Sequence, residues 1–234
     1  MRFVLREQTV HVGEMLPDDS PDRIVDPKDV AFKMKTEYSR GVKDHVEKAL
    51  EALTDLCRKF EQPNVELSVL LKETAELVSK RFAISSVAIA IRNPVDRLFR
   101  YEAVAGLSEE VAKEFDKLVY TEEQVTDEST YKSYALSDMS RLYLDEDHPY
   151  AAGEEFSYSR PGLLDMKRRS VTDSLEADYV DVFFRGKDGM LMGWIELSGT
   201  RMRKLPDVAT IKWVELLSRY LSVAIRLRRL EASA

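Results

Sequence analysis

The chain carries one cysteine, Cys57, in 234 residues. A single thiol excludes an internal disulfide framework and fits a reducing compartment, so a cytoplasmic location is expected. Long apolar runs are missing as well. The longest stretch without a charge, Phe82 to Ile91, covers about half a membrane span, so no transmembrane helix is expected. The start, MRFVLREQTV, carries Arg2, Arg6 and Glu7 and lacks the apolar segment of a secretory signal. Histidine is scarce: His11, His45 and His148, even with Cys57, show no metal-ligand spacing, and no metal is expected. Glycine patterns that cradle phosphates or dinucleotides, or that place a nucleophile on an elbow, are absent. The formal net charge of -7 argues against nucleic acid as the main partner. At 44% hydrophobic and 33% charged residues, the composition is that of an ordinary globular protein able to bury a sizeable core.

The charge is unevenly spread. Between Thr121 and Arg160, ten acidic residues face only Lys132, Arg141 and Arg160. Between Arg201 and Leu230 eight basic residues outnumber Asp207 and Glu215. Such runs read first as solvated faces. The alternative is contact between the acidic segment and a basic helix, within one chain or across a dimer.

Residues 1–25 read as an arm and loop, broken at Pro17-Asp-Asp-Ser-Pro21. Asp26-Pro27-Lys-Asp29 is a helix start, with Asp26 as cap and Pro27 in the first turn. Tyr38, Val42, Val46, Ala49, Leu53, Leu56 and Phe60 then recur at heptad-like spacing. Residues 26–63 therefore form a helical element with one apolar seam, and residues 64–234 form the main domain. Asn64 can cap a second helix whose face is Leu67, Leu70, Leu71, Thr74, Leu77 and Val78. His45 and Cys57 read as packing residues of the long helix.

Strand patterns follow at Ser86 to Arg92 and Leu98 to Ala105, with a turn at Asn93-Pro-Val-Asp96 between them. Ser108-Glu-Glu opens a short helix through Phe115. Residues 120–175 have little periodicity but hold six of the ten tyrosines, and short helices and a strand are expected there. Ala177 to Phe184 and Met190 to Leu197 form a hairpin around Arg185-Gly-Lys-Asp-Gly189. Pro206-Asp207 starts a helix reaching about Glu231. That helix carries two apolar stripes, one on Trp213, Leu217, Leu221 and Ala224, the other on Leu216, Tyr220, Val223, Leu227 and Leu230. Two stripes need two packing partners: the sheet, and a further helix in cis or in a homodimer. Val42, Val46, Leu53, Phe60, Tyr220 and Leu227 are the expected dimer-interface residues.

Three segments carry a family likeness: GWIELSGTRMRKLPDVATIKWVELLSRYLSVAI (Gly193 to Ile225), YALSDMSRLYL (Tyr134 to Leu144), and the helix and strand from Glu66 to Ile91. Together they resemble a GAF domain over roughly residues 64 to 228. PAS-like sensor folds are the neighbouring alternative, though they usually lack such a closing helix. The resemblance implies an α+β (α/β) fold with a central six-stranded antiparallel sheet. Helices would cover one face, and loops and short helices would roof a small-molecule pocket on the other. Family members sense cyclic nucleotides, tetrapyrroles, haem, amino acids or metabolites, and many dimerise through flanking helices. A bilin would need a pocket cysteine, and Cys57 precedes the domain. The family's methionine sulfoxide reductases use several cysteines, and this chain has one.

Strand alternation puts Tyr179, Asp181 and Phe183 on one face and Val180, Val182 and Phe184 on the helix-packed face. Trp194 and Glu196 likewise oppose Ile195 and Leu197. The resemblance places the pocket on the polar-aromatic face, so Tyr179, Asp181, Trp194 and Glu196, with Tyr134 and Asp138 from the roof, are the candidate ligand-binding residues. Acidic groups there disfavour a phosphate unless Arg100, Arg141 or Arg160 turns inward, and favour amines or ring N–H donors. No catalytic residue is expected. The reading is a cytoplasmic, homodimeric, GAF-like sensor of a small molecule, with no membrane partner. The chain ends shortly after Leu230, so either its signal passes to a separate protein or the sequence is part of something longer. The rival is an assembly module whose pocket is filled by Tyr131, Tyr134, Tyr143 or Tyr158. An enzyme ranks third.

Overall fold

The computed structural model describes residues 50–62, 65–148, 151, 154 and 166–231. The expected arm over residues 1–25, the Asp26 cap, and Val42 and Val46 lie outside these residues. Residues 50–60 form helix α1. Then follow α2 (Leu67–Arg81), β1 (Val87–Arg92), β2 (Phe99–Ala105), α3 (Glu109–Phe115), β3 (Val119–Tyr120) and α4 (Glu122–Val125). The chain continues through β4 (Tyr134–Ala135), β5 (Ser140–Tyr143), a 3-10 turn (Asp145–Asp147), β6 (Tyr179–Arg185), β7 (Leu191–Ser198) and α5 (Val208–Glu231).

Local chemistry sets most boundaries. The Asn93 side chain accepts a hydrogen bond from the Val95 amide at 2.8 Å and so shapes the β1–β2 turn. Ser108 caps α3 by accepting from the Val111 amide, and Thr121 and Gln124 form a reciprocal capping box on α4. The Asp207 carboxylate accepts from the Thr210 amide at 2.7 Å and starts α5. At α2 the cap position falls on Glu66 without a side-chain hydrogen bond, two residues after the Asn64 expected. Asn64 itself is not among the described residues.

The strands form one antiparallel sheet in the order β3-β2-β1-β7-β6-β5-β4. The sheet has seven strands where six were expected. The difference comes from its rims, because β3 and β4 are two-residue strands too short to show a period-2 pattern.

One face of the sheet packs on helices. Val87, Ile89, Val180, Val182, Ile195 and Leu197 meet Leu70, Leu71 and Val78 of α2 and Val214, Leu217, Leu221 and Ile225 of α5. Most of these side chains are fully removed from water, each worth about 2 kcal/mol by burial. Gly193 is required here. A Cβ at that position would lie 2.1 Å from the Ala90 carbonyl oxygen and 2.6 Å from the Phe184 ring, so only glycine lets the strands and the ring close.

Helix α1 joins the same core through Leu56 and Phe60, and the Phe60 ring stacks on Tyr220 with centroids 5.7 Å apart. These two expected interface residues thus meet each other within one chain, and Leu53 packs partly against the core beside them. The second stripe of α5 stays uncovered: Leu216, Val223, Leu227 and Leu230 are exposed.

Part of the acidic segment is paired locally. Lys132 pairs with Asp147, Arg92 with Glu122, and Arg168 with Glu146. Its one ion pair with the basic helix among the described residues joins Arg219 to Asp138 at 4.0 Å, on the surface.

Candidate functional site

The opposite face of the sheet carries a second cluster in which Ala90, Phe99, Leu191 and Trp194 are buried. Next to it lies a cavity of about 110 Å³. Its floor is built by β2, β7, β6 and β5, and its roof by Leu107, Phe115, Leu118, Tyr120, Val125 and Tyr131 from the segment around α3 and α4. Small side chains on β1 make the room: Ala88 pairs with Glu196 and Ala90 with Trp194 across the β1–β7 ladder.

Four of the six candidate residues line this cavity: Tyr179, Asp181, Trp194 and Glu196. The other two do not. Tyr134 sits on the rim strand β4, where its hydroxyl donates to Asp147 at 2.8 Å, and Asp138 lies in the β4–β5 turn, 85% exposed. Both belong to a two-residue edge hairpin that carries their side chains past the end of the floor. Arg100 and Arg141 are likewise outside the lining: Arg100 pairs with Asp96 and Arg141 with Glu128.

Several lining residues escaped the sequence reading. Tyr101 is the clearest case. Alternation along β2 runs through a bulge: Ile89 faces Ala103 while Ala90 faces Tyr101, leaving Glu102 as the extra residue. The bulge puts Ala103 and Ala105 on the helix side and Phe99 and Tyr101 on the cavity side. A bulge has no one-residue signature in the sequence, so strict alternation cannot place Tyr101 on the cavity side and Ala103 on the helix side. Tyr120, Tyr131, Tyr143 and Glu154 come from segments without periodicity, and their tyrosine content was the one available signal.

The wall is aromatic on both sides and acidic in the middle. Tyr101 meets Phe115 edge-on at 4.8 Å and Trp194 at 5.8 Å, and Tyr120 meets Trp194 at 6.1 Å. Across the floor, Tyr143 and Tyr179 stack at 4.3 Å. Between these groups stand Asp181 on β6 and Glu196 on β7, paired directly across the ladder. The Tyr101 hydroxyl donates to Glu196 Oε2 at 2.5 Å. Glu154 accepts from the hydroxyls of Tyr120 at 2.7 Å and Tyr131 at 2.8 Å. Asp181 differs: it is 6% exposed, and its Oδ1 is buried without a hydrogen-bond partner among the described residues.

Two carboxyls side by side in an apolar wall cannot both ionise cheaply. Burial pushes Glu196 up to about 7, against the opposing pull of the Tyr101 hydroxyl. Burial and the neighbouring Glu196 hold Asp181 well above the usual carboxylate range. Burial also raises Tyr101, Tyr120, Tyr131, Tyr143 and Tyr179, so their hydroxyls stay neutral and serve as donors. Tyr131 and Tyr143 stand in the wall without filling the cavity, Tyr134 lies outside it, and Tyr158 is not among the described residues. No three acid, histidine or cysteine side chains among the described residues converge as a metal site would require.

A second cavity, about 270 Å³, lies between the β4–β5 hairpin and the start of α5, lined mainly by Leu136, Leu142, Leu205, Pro206 and Ile211. Its acid, Glu215, accepts from the Ser140 hydroxyl at 2.7 Å and from Ser137. No helix among the described residues is long and apolar enough to cross a membrane.

No family model matches the sequence. No curated relative matches it either. Solved structures do match the fold. The GAF domain of a phosphoenolpyruvate-protein phosphotransferase (ptsP) from Coxiella burnetii is 14% identical, with TM-score 0.52, over 80% of this chain and 97% of that one. A segment of a methyl-accepting chemotaxis protein is 12% identical, with TM-score 0.51, over 76% of this chain and 99% of that one. A GAF domain/HD domain protein from Geobacter sulfurreducens is 11% identical, with TM-score 0.51, over 70% and 95%. The fold is GAF-like.

Proposed function

We propose that this GAF-like chain is a sensory domain that binds a small molecule between its sheet and the roof over α3 and α4. The observation that carries the reading is the cavity itself: its floor presents a buried carboxylate oxygen of Asp181 that the described residues leave unsatisfied. An unpaired buried acceptor costs about 1–3 kcal/mol, and a fold tolerates that where a ligand relieves it. The chemotaxis protein and the phosphotransferase among its structural relatives support a signalling role.

The mechanism follows from the elements that share the sheet. A ligand touching the roof and β6–β7 favours the closed roof, and α5 packs on the other side of the same two strands. Differential affinity for the closed state would shift a population and tilt α5. The uncovered stripe on α5 gives that tilt a reader, a second copy of the chain packed through Leu216, Val223 and Leu227.

Native mass spectrometry of the full chain tests both statements. The expected result is a dimer carrying extra small-molecule mass that is released on denaturation. A bare dimer favours an assembly module, and a monomer at micromolar concentration removes the paired-helix mechanism.

A further inference from the structure

Among the described residues, the charges on the cavity wall all have one sign. The ionisable side chains there are carboxyls and tyrosine hydroxyls, with no lysine, arginine or histidine among the described lining residues. Some of the acids have partners in the protein. Asp178 forms an ion pair with Arg168 at 2.8 Å, and Glu154 is held by two tyrosine hydroxyls and the Ala151 amide. Among the described residues, Asp181 and Glu196 have no basic partner in the lining, and Asp181 Oδ1 has no donor. The orphaned oxygen belongs to a side chain more than nine-tenths buried on the cavity floor.

Each ligand class meets this wall differently. An anion would enter a site with two adjacent acids and no cation to receive it. A neutral polar molecule could donate one hydrogen bond but would bring no positive charge to let the paired acids ionise. A quaternary ammonium would supply charge and lie well against Trp194 and the tyrosine faces, yet it has no N–H for Oδ1. A protonated primary amine supplies both, and its alkyl chain matches the aromatic walls. The volume is consistent, since a cavity of about 150 Å³ holds benzene, and 110 Å³ suits a ligand of a few heavy atoms.

We infer that the cavity binds a small aliphatic ammonium, its charged head held by Asp181 and Glu196 and its carbon chain packed against Tyr101, Tyr179 and Trp194. This inference rests on the small-molecule reading above and names its ligand class.

The test is calorimetric titration of the full chain at about pH 8, where an aliphatic amine is protonated and Glu196 is ionised. Propylammonium, 1-propanol, propionate and tetramethylammonium are compared at one ionic strength. Propylammonium is expected to bind roughly tenfold or more tightly than the other three. Asp181→Asn, which keeps the shape and cannot ionise, is expected to weaken it by roughly tenfold or more while the protein stays folded. Should that variant fail to fold, Glu196→Gln is read in its place, with a loss of the same order expected. Equal or tighter binding of propanol, propionate or tetramethylammonium overturns the ammonium assignment and leaves the cavity reading standing. Propylammonium binding that survives the substitution also overturns it. Binding of none of the four overturns both.

Discussion

Asp181 and Glu196 stand opposite each other in the β6–β7 ladder, on the face of the sheet away from α2 and α5. Elsewhere in a sheet, two acids so placed repel and are selected against. Here they sit in an aromatic wall, where burial holds both carboxyls above their ordinary ionisation range and each makes ionisation of the other more costly. The pair is a destabilising element of the fold, and it lies in the wall of the cavity on this face.

Stability should fall with rising pH. Glu196 is raised from its ordinary value of 4.5 to about 7, so the folded state holds a proton that the unfolded chain releases. Its contribution is fully present below about pH 4.5 and is lost as pH rises through about 7, a change on the order of 3 kcal/mol. Asp181, raised in the same direction, adds to the slope. Urea denaturation across this range should show the decline in the ligand-free protein, and Glu196→Gln should flatten it.

Ammonium affinity should run the other way. Binding a cation requires Glu196 and Asp181 to be ionised, while Tyr101, Tyr120 and Tyr131 facing them stay neutral and Glu154 keeps its hydroxyl donors. Propylammonium affinity is therefore expected to increase from about pH 6 to about pH 8, with proton release visible as a buffer-dependent heat. A flat profile would argue against the pair as the binding group.

Tyr101→Phe removes the hydroxyl that donates to Glu196. Loss of that hydrogen bond should move the stability midpoint of the preceding pH series upward, because the bond favours the ionised carboxylate. The cost above pH 7 should be about 1–3 kcal/mol, since the acceptor is charged. Denaturation of the variant at two pH values measures both effects.

Gly193→Ala places a Cβ 2.1 Å from the Ala90 carbonyl oxygen, between two central strands. Backbone must move to admit it, and a loss on the order of 2–3 kcal/mol is expected from thermal unfolding. Gly189→Ala serves as the contrast: it meets nothing within 4 Å, and its positive φ adds about 1 kcal/mol of strain without a clash.

Leu227→Glu on the exposed stripe of α5 should leave the unfolding free energy within about 0.5 kcal/mol of the parent and shift a dimer toward monomer in analytical ultracentrifugation. Phe60→Ala should do the reverse, costing about 3 kcal/mol because its ring lies in the core against Tyr220. If both variants stay dimeric, the α5 stripe is not the contact surface.

The strong elements were legible before any fold was known. Val87–Arg92, Tyr179–Arg185 and Leu191–Ser198 alternate or run apolar, and α2 and α5 show helical periodicity, because each buries a whole face and burial imposes its period on the chain. From that alternation Tyr179, Asp181, Trp194 and Glu196 could be placed on one face, which is the face that holds the cavity.

The rest depended on how segments meet. Tyr101 reached the cavity through a bulge at Glu102, which resets alternation and leaves no local trace in residue type. Tyr134 and Asp138 looked like roof residues, yet a short rim hairpin carried them to the surface. Tyr120, Tyr131 and Glu154 come together across separations of 34 and 23 residues, through hydroxyl–carboxylate bonds that periodicity cannot anticipate. Side-chain period is a property of one segment against one surface, so it can be read in one dimension. A cavity is the space several segments leave between them, and its chemistry, an aromatic wall around paired acids with an oxygen that the described residues leave unsatisfied, exists only once those segments are packed.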